Sequence, residues 1–387
     1  MYQQKMQLQS FPLKSWLSLL QWQRIRQLLA WLTFGLGLCS PAQAVSVVFI
    51  NPGKTDEAYW VAAAESMRIA AQSLGIDLEV QYAHRNHLLA IDLAKALVAR
   101  PKDKRPDYAV FSNDYATGAE LLRILDGSGI KSFMAFSRLS AEEELVHGTP
   151  RKKFKDWIGS LEPIAEEAGY MTAKALIARG RAQGLADANG KLQMLAIAGD
   201  RSTTSSIKRN EGMMRAVAES PDVLLTQTVF ASWSREKAEE QSSWLFDRHQ
   251  QTRLVWAGND LMAFGAMQAL EKKGGIPGKT ALFSGVNTSP EAMNAIKSGR
   301  LAALAGGHFI VGAWALVMIH DFHKGRDFAD EGLQLERSMF VLFDPALATT
   351  FQNRFGDTYS RIDFRRYSKV INNKAEAYQF GFTQLLK

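Results

Sequence analysis

The chain of 387 residues is 47% hydrophobic and 22% charged, which supplies enough apolar material for two sizeable cores and excludes a bulk-disordered chain. The formal net charge is +7, but Lys5, Lys14, Arg24 and Arg26 lie in the first 44 residues, which contain no acid, so the remainder carries only +3. A balance of that size does not point to a nucleic-acid binder.

Residues 1–44 read as a secretory signal peptide: a basic start, an apolar run from Leu28 to Leu38, then Ala42-Gln43-Ala44. The apolar run is too short to span a bilayer comfortably. Cleavage after Ala44 places the mature chain in the periplasm, beginning at Val45. Two rival readings stay open. Cys39 could be acylated, although Leu38 stands where a small residue is needed, or the long basic segment could be retained as an anchor. Cys39 is the single cysteine, so a chain cleaved at Ala44 has no thiol and no disulfide.

The apolar run Val45 to Ile50 has the pattern of a strand buried on both faces. Asn51-Pro52-Gly53 breaks it, and Thr55 or Asp56 is expected to cap the helix that follows. In that helix Trp60, Ala64, Met67, Ala71 and Leu74 share one face, whereas Tyr59 lies off it. Strands are then expected at Asp77–Tyr82, Tyr108–Phe111 and Ile130–Ala135, with helices at His87–Ala99 and Ala116–Leu125. Residues 140–156 read as a charged loop, leading to a short strand at Trp157–Gly159. A second series follows: helices at 163–178, 206–218, 235–247 and 261–273 alternate with strands at 192–198, 223–230, 254–257 and 281–285. A strand at 301–305, a helix at 310–323 and a strand at 338–343 come next, and residues 351–387 read as a helical wrap over one lobe.

Alternating β and α at this pitch calls for parallel sheets covered by helices. The expected fold is α/β, with two doubly wound, Rossmann-like lobes. Residues 45–159 and 308–337 are assigned to the N-terminal lobe, and 160–307 and 338–350 to the C-terminal lobe. Ligands of such sheets bind beyond the carboxyl ends of the strands.

Five segments, in order and at matching spacing, resemble the type I periplasmic solute-binding proteins of the ribose- and galactose-binding class. They are EAYW at the first helix, FSR (Phe136 to Arg138), SSIKRNEGM (Ser205 to Met213), WAGNDLMAFGAMQAL (Trp256 to Leu270) and SGVNTSPEAMNAIKSGRLAA (Ser284 to Ala303). The opening PGKTDEAYWV also resembles the autoinducer-2 receptor branch. The resemblance covers residues 45–345. It implies a hinged, two-lobed binding protein that closes over a carbohydrate-like ligand, without a cofactor or metal.

The same resemblance assigns roles to ten residues. Tyr59, Trp60 and Trp233 match the family's stacking rings. Arg138 and Arg209 match its arginines, and Asn259 a binding amide. Ser137 and Asn287 stand where the family carries acids. Glu162 stands where it often has Asn, and His308 lies near its last polar ligand. Rings suit the C–H face of a sugar, while amides, carboxylates and guanidinium groups meet hydroxyls in pairs. Loss of two acids with both arginines retained implies a less acidic pocket than a pentose or hexose site, open to an anionic or oxidised ligand. Plainer readings stand beside these. Trp60 fits the core stripe, Trp233 could anchor a loop, and Arg209 could be a solvated helix charge. Asn259-Asp260 is a good helix cap and Glu162-Pro163 a fair helix start.

No nucleophile elbow, no H-E-x-x-H and no reactive cysteine is present, which argues against an enzyme. His320 and His323 lie one turn apart without a third ligand, so a metal site is not expected. The implied partner is a membrane permease of an ABC importer or, alternatively, a membrane sensor, with the binding protein itself a monomer.

Overall fold

The computed structural model describes residues 44–356 and 362–386. The signal reading and Cys39 therefore lie outside the described residues. Two six-stranded sheets form the framework. In chain order the first contains β1 (Val45–Asn51), β2 (Ile76–Tyr82), β3 (Tyr108–Phe111), β4 (Lys131–Ala135), β5 (Trp157–Pro163) and β11 (Gln334–Arg337), arranged β11-β5-β4-β3-β1-β2. The second contains β6 (Leu192–Ala198), β7 (Val223–Phe230), β8 (Leu254–Ala257), β9 (Leu282–Val286), β10 (Ala303–Gly306) and β12 (Val341–Leu342), arranged β12-β10-β9-β8-β6-β7. Every described pairing between these strands is parallel except β10 with β12. The expected α/β architecture of two doubly wound lobes is the observed one.

Helices cover both sheets: α1 (Ala58–Leu74), α2 (His87–Ala99), α3 (Gly118–Leu125) and α4 (Ala141–His147) follow strands of the first sheet. The helices α5 (Ala165–Ala182), α6 (Thr204–Ala218), α7 (Arg235–Arg248), α8 (Asp260–Lys272) and α9 (Pro290–Ser298) belong with the second. The chain passes between the lobes after β5, after β10 and between β11 and β12.

Several local expectations are corrected. Helix α4 occupies the stretch read as a loop. A capping box joins Ser140 and Glu143, and Glu142, Glu143 and Glu144 sit in the first turn, where the helix dipole favours acids. None of its residues is buried, so it shows no apolar stripe. Strand β5 runs to Pro163 and is buried throughout, because it lies inside the sheet between β4 and β11. Glu162-Pro163 therefore ends a strand instead of starting a helix. Helix α1 is entered at Glu57 without a side-chain cap, so neither Thr55 nor Asp56 caps it. The edge strand β11 (QLER) went unread because only Leu335 in it is buried.

Helix α10 (Val311–His323) explains the C-terminal segment. It is buried from Val311 to Asp321, so it has no wet face, and a helix apolar all round needs cover on every side. Helix α1 packs on one side of it. Residues 362–386 cover another: Phe380 stacks on Trp314 at 5.1 Å, with Phe364 and Tyr367 edge-on to the same indole at 5.2 and 4.6 Å. Buried Asp321 accepts bonds from Ser368 Oγ, Lys369 N (2.6 Å) and Tyr378 Oη (3.0 Å). This cover is irregular chain with single 3-10 turns at Phe364–Tyr367 and Thr383–Leu385. It replaces the expected helical wrap; the one α-helix among the region's described residues, α11 (Pro345–Phe355), packs on α9.

Candidate functional site

The carboxyl ends of both sheets face each other, and between them lies a cavity of about 480 Å³, its open mouth included. A space of that order lies within the range of small-molecule sites, about 300–1,000 Å³. The strand ends supply the walls one after another. From the first lobe come Glu57, Tyr59 and Trp60 after β1, Arg85 after β2, Asp114 after β3, and Phe136 and Ser137 after β4. From the second come Thr203, Ser205 and Arg209 after β6, Trp233 after β7, Asn259 after β8 and Asn287 after β9. Pro163 and His308 stand at the crossings. Arg85, Phe136, Trp233 and Asn287 all have positive φ, a conformation costly for residues other than glycine and concentrated at sites that must aim side chains.

Eight of the ten predicted residues line this cavity: Tyr59, Trp60, Ser137, Arg209, Trp233, Asn259, Asn287 and His308. Trp60 serves core and cavity together, packing on Phe49 and Phe136. Tyr59 stacks on His308 at 4.6 Å, and Phe340 covers the other face of that imidazole at 4.5 Å. Trp233 is fixed by a 2.7 Å bond from its indole N–H to Asp200. Burial opposes ionisation of Asp200, but bonds from Thr203, Ser202 and Trp233 hold its carboxyl below the usual range. Asn259 caps α8 by accepting from Met262 N at 2.8 Å, while Asn287 donates to buried Asp260 at 2.8 Å.

Arg138 and Glu162 do not line the cavity. They form an ion cluster at the crossing, in which Glu162 Oε1 accepts from Arg138 Nε at 2.9 Å and from Lys208 Nζ at 2.7 Å. Glu336 accepts from the same two cations. The carboxylate of Glu162, two residues upstream of where the chain leaves β5, captures the guanidinium that was expected to meet ligand. Because Lys208 is on α6 and the acids are on β5 and β11, the cluster also ties the lobes together. Tyr115 N donates to Thr203 Oγ1 at 3.1 Å and Thr204 Oγ1 to the Arg138 carbonyl at 2.9 Å, so the lobes are closed on one another.

Glu57, Arg85 and Asp114 were not anticipated. Arg85 binds Glu57 and, at 3.0 Å, Asp114. Burial works against its charge, but the two carboxylates hold its pKa above the ordinary value. The available signal was positional: each follows the carboxyl end of a first-lobe strand.

Arg209 donates to the Gly258 carbonyl at 2.8 Å, and its Nη2 lies 2.9 Å from His308 Nε2. Arginine offers only donors, so Nε2 accepts and the imidazole proton sits on Nδ1. Burial, followed by the Arg209 charge, holds the His308 pKa well below its ordinary value, and burial brings Arg209 down to about 10. A histidine kept neutral in the fold takes its proton first in the unfolded chain. Stability is then lost as pH falls below about 6.5, by about 1.4 kcal/mol per pH unit for one such group. Urea denaturation of His308→Gln between pH 7.5 and 5.5 should show a slope shallower by about that amount; identical slopes would mean that His308 is already protonated.

Two α/β lobes closed over a polar, aromatic-walled cavity define a hinged solute-binding protein. The chain matches the periplasmic binding protein domain family over residues 47–327 and belongs to it; its members of this form are the type I periplasmic binding proteins of the ribose and galactose class, which bind solutes and are not enzymes. A periplasmic sugar-binding protein from Pseudomonas fluorescens is 38% identical, with a TM-score of 0.79 covering 89% of this chain and 100% of that one. The xylitol-binding protein of Mycolicibacterium smegmatis is 27% identical over 147 residues, 37% of this chain and 38% of its own length. The ribose import binding protein of Salmonella typhimurium is 32% identical over 112 residues, 29% of this chain and 36% of its own length. The chain thus aligns with little more than a third of these curated relatives.

Proposed function

We propose that this protein captures a sugar-like solute of monosaccharide size between its lobes and delivers it to an ABC importer in the membrane. The observation that carries the reading is the closed cavity, which combines Tyr59, Trp60 and Trp233 with Arg209, Asn259 and Asn287 from opposite walls. Rings that cover C–H faces and planar polar groups that meet hydroxyls are the equipment for a polyhydroxylated ligand. The names of the relatives, for ribose, xylitol and sugar binding, support that class. The lobes act as residues 45–163 with 308–337 and residues 164–307 with 338–356, and the N-terminal 44 residues act as a cleaved export signal.

Ligand contacts are complete only when the lobes meet, so ligand favours the closed state and a membrane partner reads occupancy from the changed outer face. Titration with sugars should quench or enhance tryptophan fluorescence, and the radius of gyration in X-ray scattering should fall at the same concentration. Arg209→Ala should weaken binding by about 1.5–3 kcal/mol, the worth of a charge-assisted bond. Arg138→Ala removes no wall of the cavity and should change affinity far less. Normal binding by Arg209→Ala, or scattering unchanged at saturation, would sink this reading.

A further inference from the structure

The unpartnered buried atoms on the cavity's lining residues are mostly donors. Four buried atoms on its lining residues have no partner among the described residues: Arg209 Nε, His308 Nδ1, Trp60 Nε1 and Ser137 Oγ. The first and third are N–H donors by their chemistry. The second is a donor because Nε2 of the same ring already accepts from Arg209. Only the Ser137 hydroxyl could serve either way.

The acids nearby are, by contrast, engaged. Asp114 accepts from Ser112 Oγ and Arg85, and Glu57 accepts from Arg85 through both oxygens. Asp260 accepts from Asn287, Ser289 and Leu261 N, and Asp200 from Ser202, Thr203 and Trp233. Asn259 has spent its side-chain oxygen on the α8 cap. A buried donor without a partner is costly, more so when charged. Arg85 has two carboxylates, whereas Arg209, 6% exposed, contacts a carbonyl and an imidazole nitrogen and no carboxylate.

A neutral sugar can meet these donors through its hydroxyl oxygens, but it brings no charge to set against Arg209. A ligand that adds lone pairs without protons resolves both imbalances. Resting on the sugar-binding reading above, we propose that the ligand is a sugar acid of monosaccharide size, an aldonate or uronate, with its carboxylate held at Arg209 and its hydroxyl oxygens taken by the remaining donors. The ligand then supplies the counter-charge that Arg209 lacks, and the site discriminates by charge between an acid and the aldose of the same configuration.

The test is a fluorescence titration of the full mature chain with D-galactose, D-glucose and D-ribose beside D-galactonate, D-galacturonate, D-gluconate and D-ribonate. At least one acid should bind about tenfold or more tightly than its parent aldose, a difference of about 1.4 kcal/mol. Ser137→Asp sets a new carboxylate among the donors. It should cut the preference for the acid over its parent aldose by about tenfold or more, because like charges inside one low-dielectric cavity repel. An aldose that binds as tightly as its acid, or a Ser137→Asp chain that keeps its preference for the acid, overturns the inference and leaves the sugar-binding reading standing. Failure of every sugar and every acid to bind overturns that reading, and the inference with it.

Discussion

Phe382→Ala is expected to cost about 3–5 kcal/mol of stability, the range for deleting a fully buried aromatic side chain. Phe382 is 1% exposed and lies where the C-terminal segment meets the crossing from β10 to α10. Its ring sits 5.6 Å from Phe309, 6.0 Å from Phe351 and 5.6 Å from Phe355. A Cβ on Gly307 would come within 2.5 Å of that ring, so the glycine, at φ 116, is both turned and roofed by it. Gly307 precedes His308, and loss of the roof should loosen the site as well as the core. Urea denaturation should show a lowered midpoint at an unchanged slope, together with weaker ligand binding. A variant as stable as the parent would mean that the C-terminal segment is only draped on the surface.

Gly169→Val is expected to cost about 3 kcal/mol, the upper end for overpacking. Helices α5 and α6 touch backbone to backbone through a glycine on each. A Cβ at Gly169 would fall 1.9 Å from the Arg209 carbonyl, and one at Gly212 would fall 2.0 Å from the Glu166 carbonyl. Both obstacles are main chain, so no side chain can rotate away. Relief requires the helices to part, and the residue displaced first is Arg209. Gly169→Val should therefore lower the urea midpoint and weaken ligand binding, although position 169 does not line the cavity. Binding retained at full strength in a destabilised variant would show that Arg209 is held by Gly258 and His308 and not by the helix pair.

The strands β3, β6, β7 and β8 and the helix α2 were legible to the residue, because short apolar runs bounded by turn residues leave one reading. Eight of the ten residues that the family resemblance singled out stand together on the cavity wall. In a doubly wound sheet every strand ends at the same edge, so residues just beyond strand ends meet whatever their distance in the chain. Arg138 and Glu162 stand outside that lining and pair with each other. Nothing local says that Glu162 sits inside a strand within reach of Arg138 and Lys208, and a buried carboxylate flanked by two cations pairs with them in preference to leaving them for ligand. Arg85 was missed because its two acids, 28 residues before it and 29 after it, form no motif.

The sequence by itself determined the class of the molecule. Short apolar runs alternating with period-3.6 patterns, in two series, specify two parallel sheets under helices, and the family resemblance of the strand-end segments implies a polar, aromatic-walled cleft. Tertiary structure alone decided which groups remain free to meet a ligand. Arg138 and Arg209 look alike in the chain, yet one is neutralised by Glu162 and Glu336 while the other is buried against a carbonyl and an imidazole. The physical reason is that a charge's role depends on its partners within about 4 Å and on its exclusion from water, and both are properties of packing between segments that the chain keeps far apart.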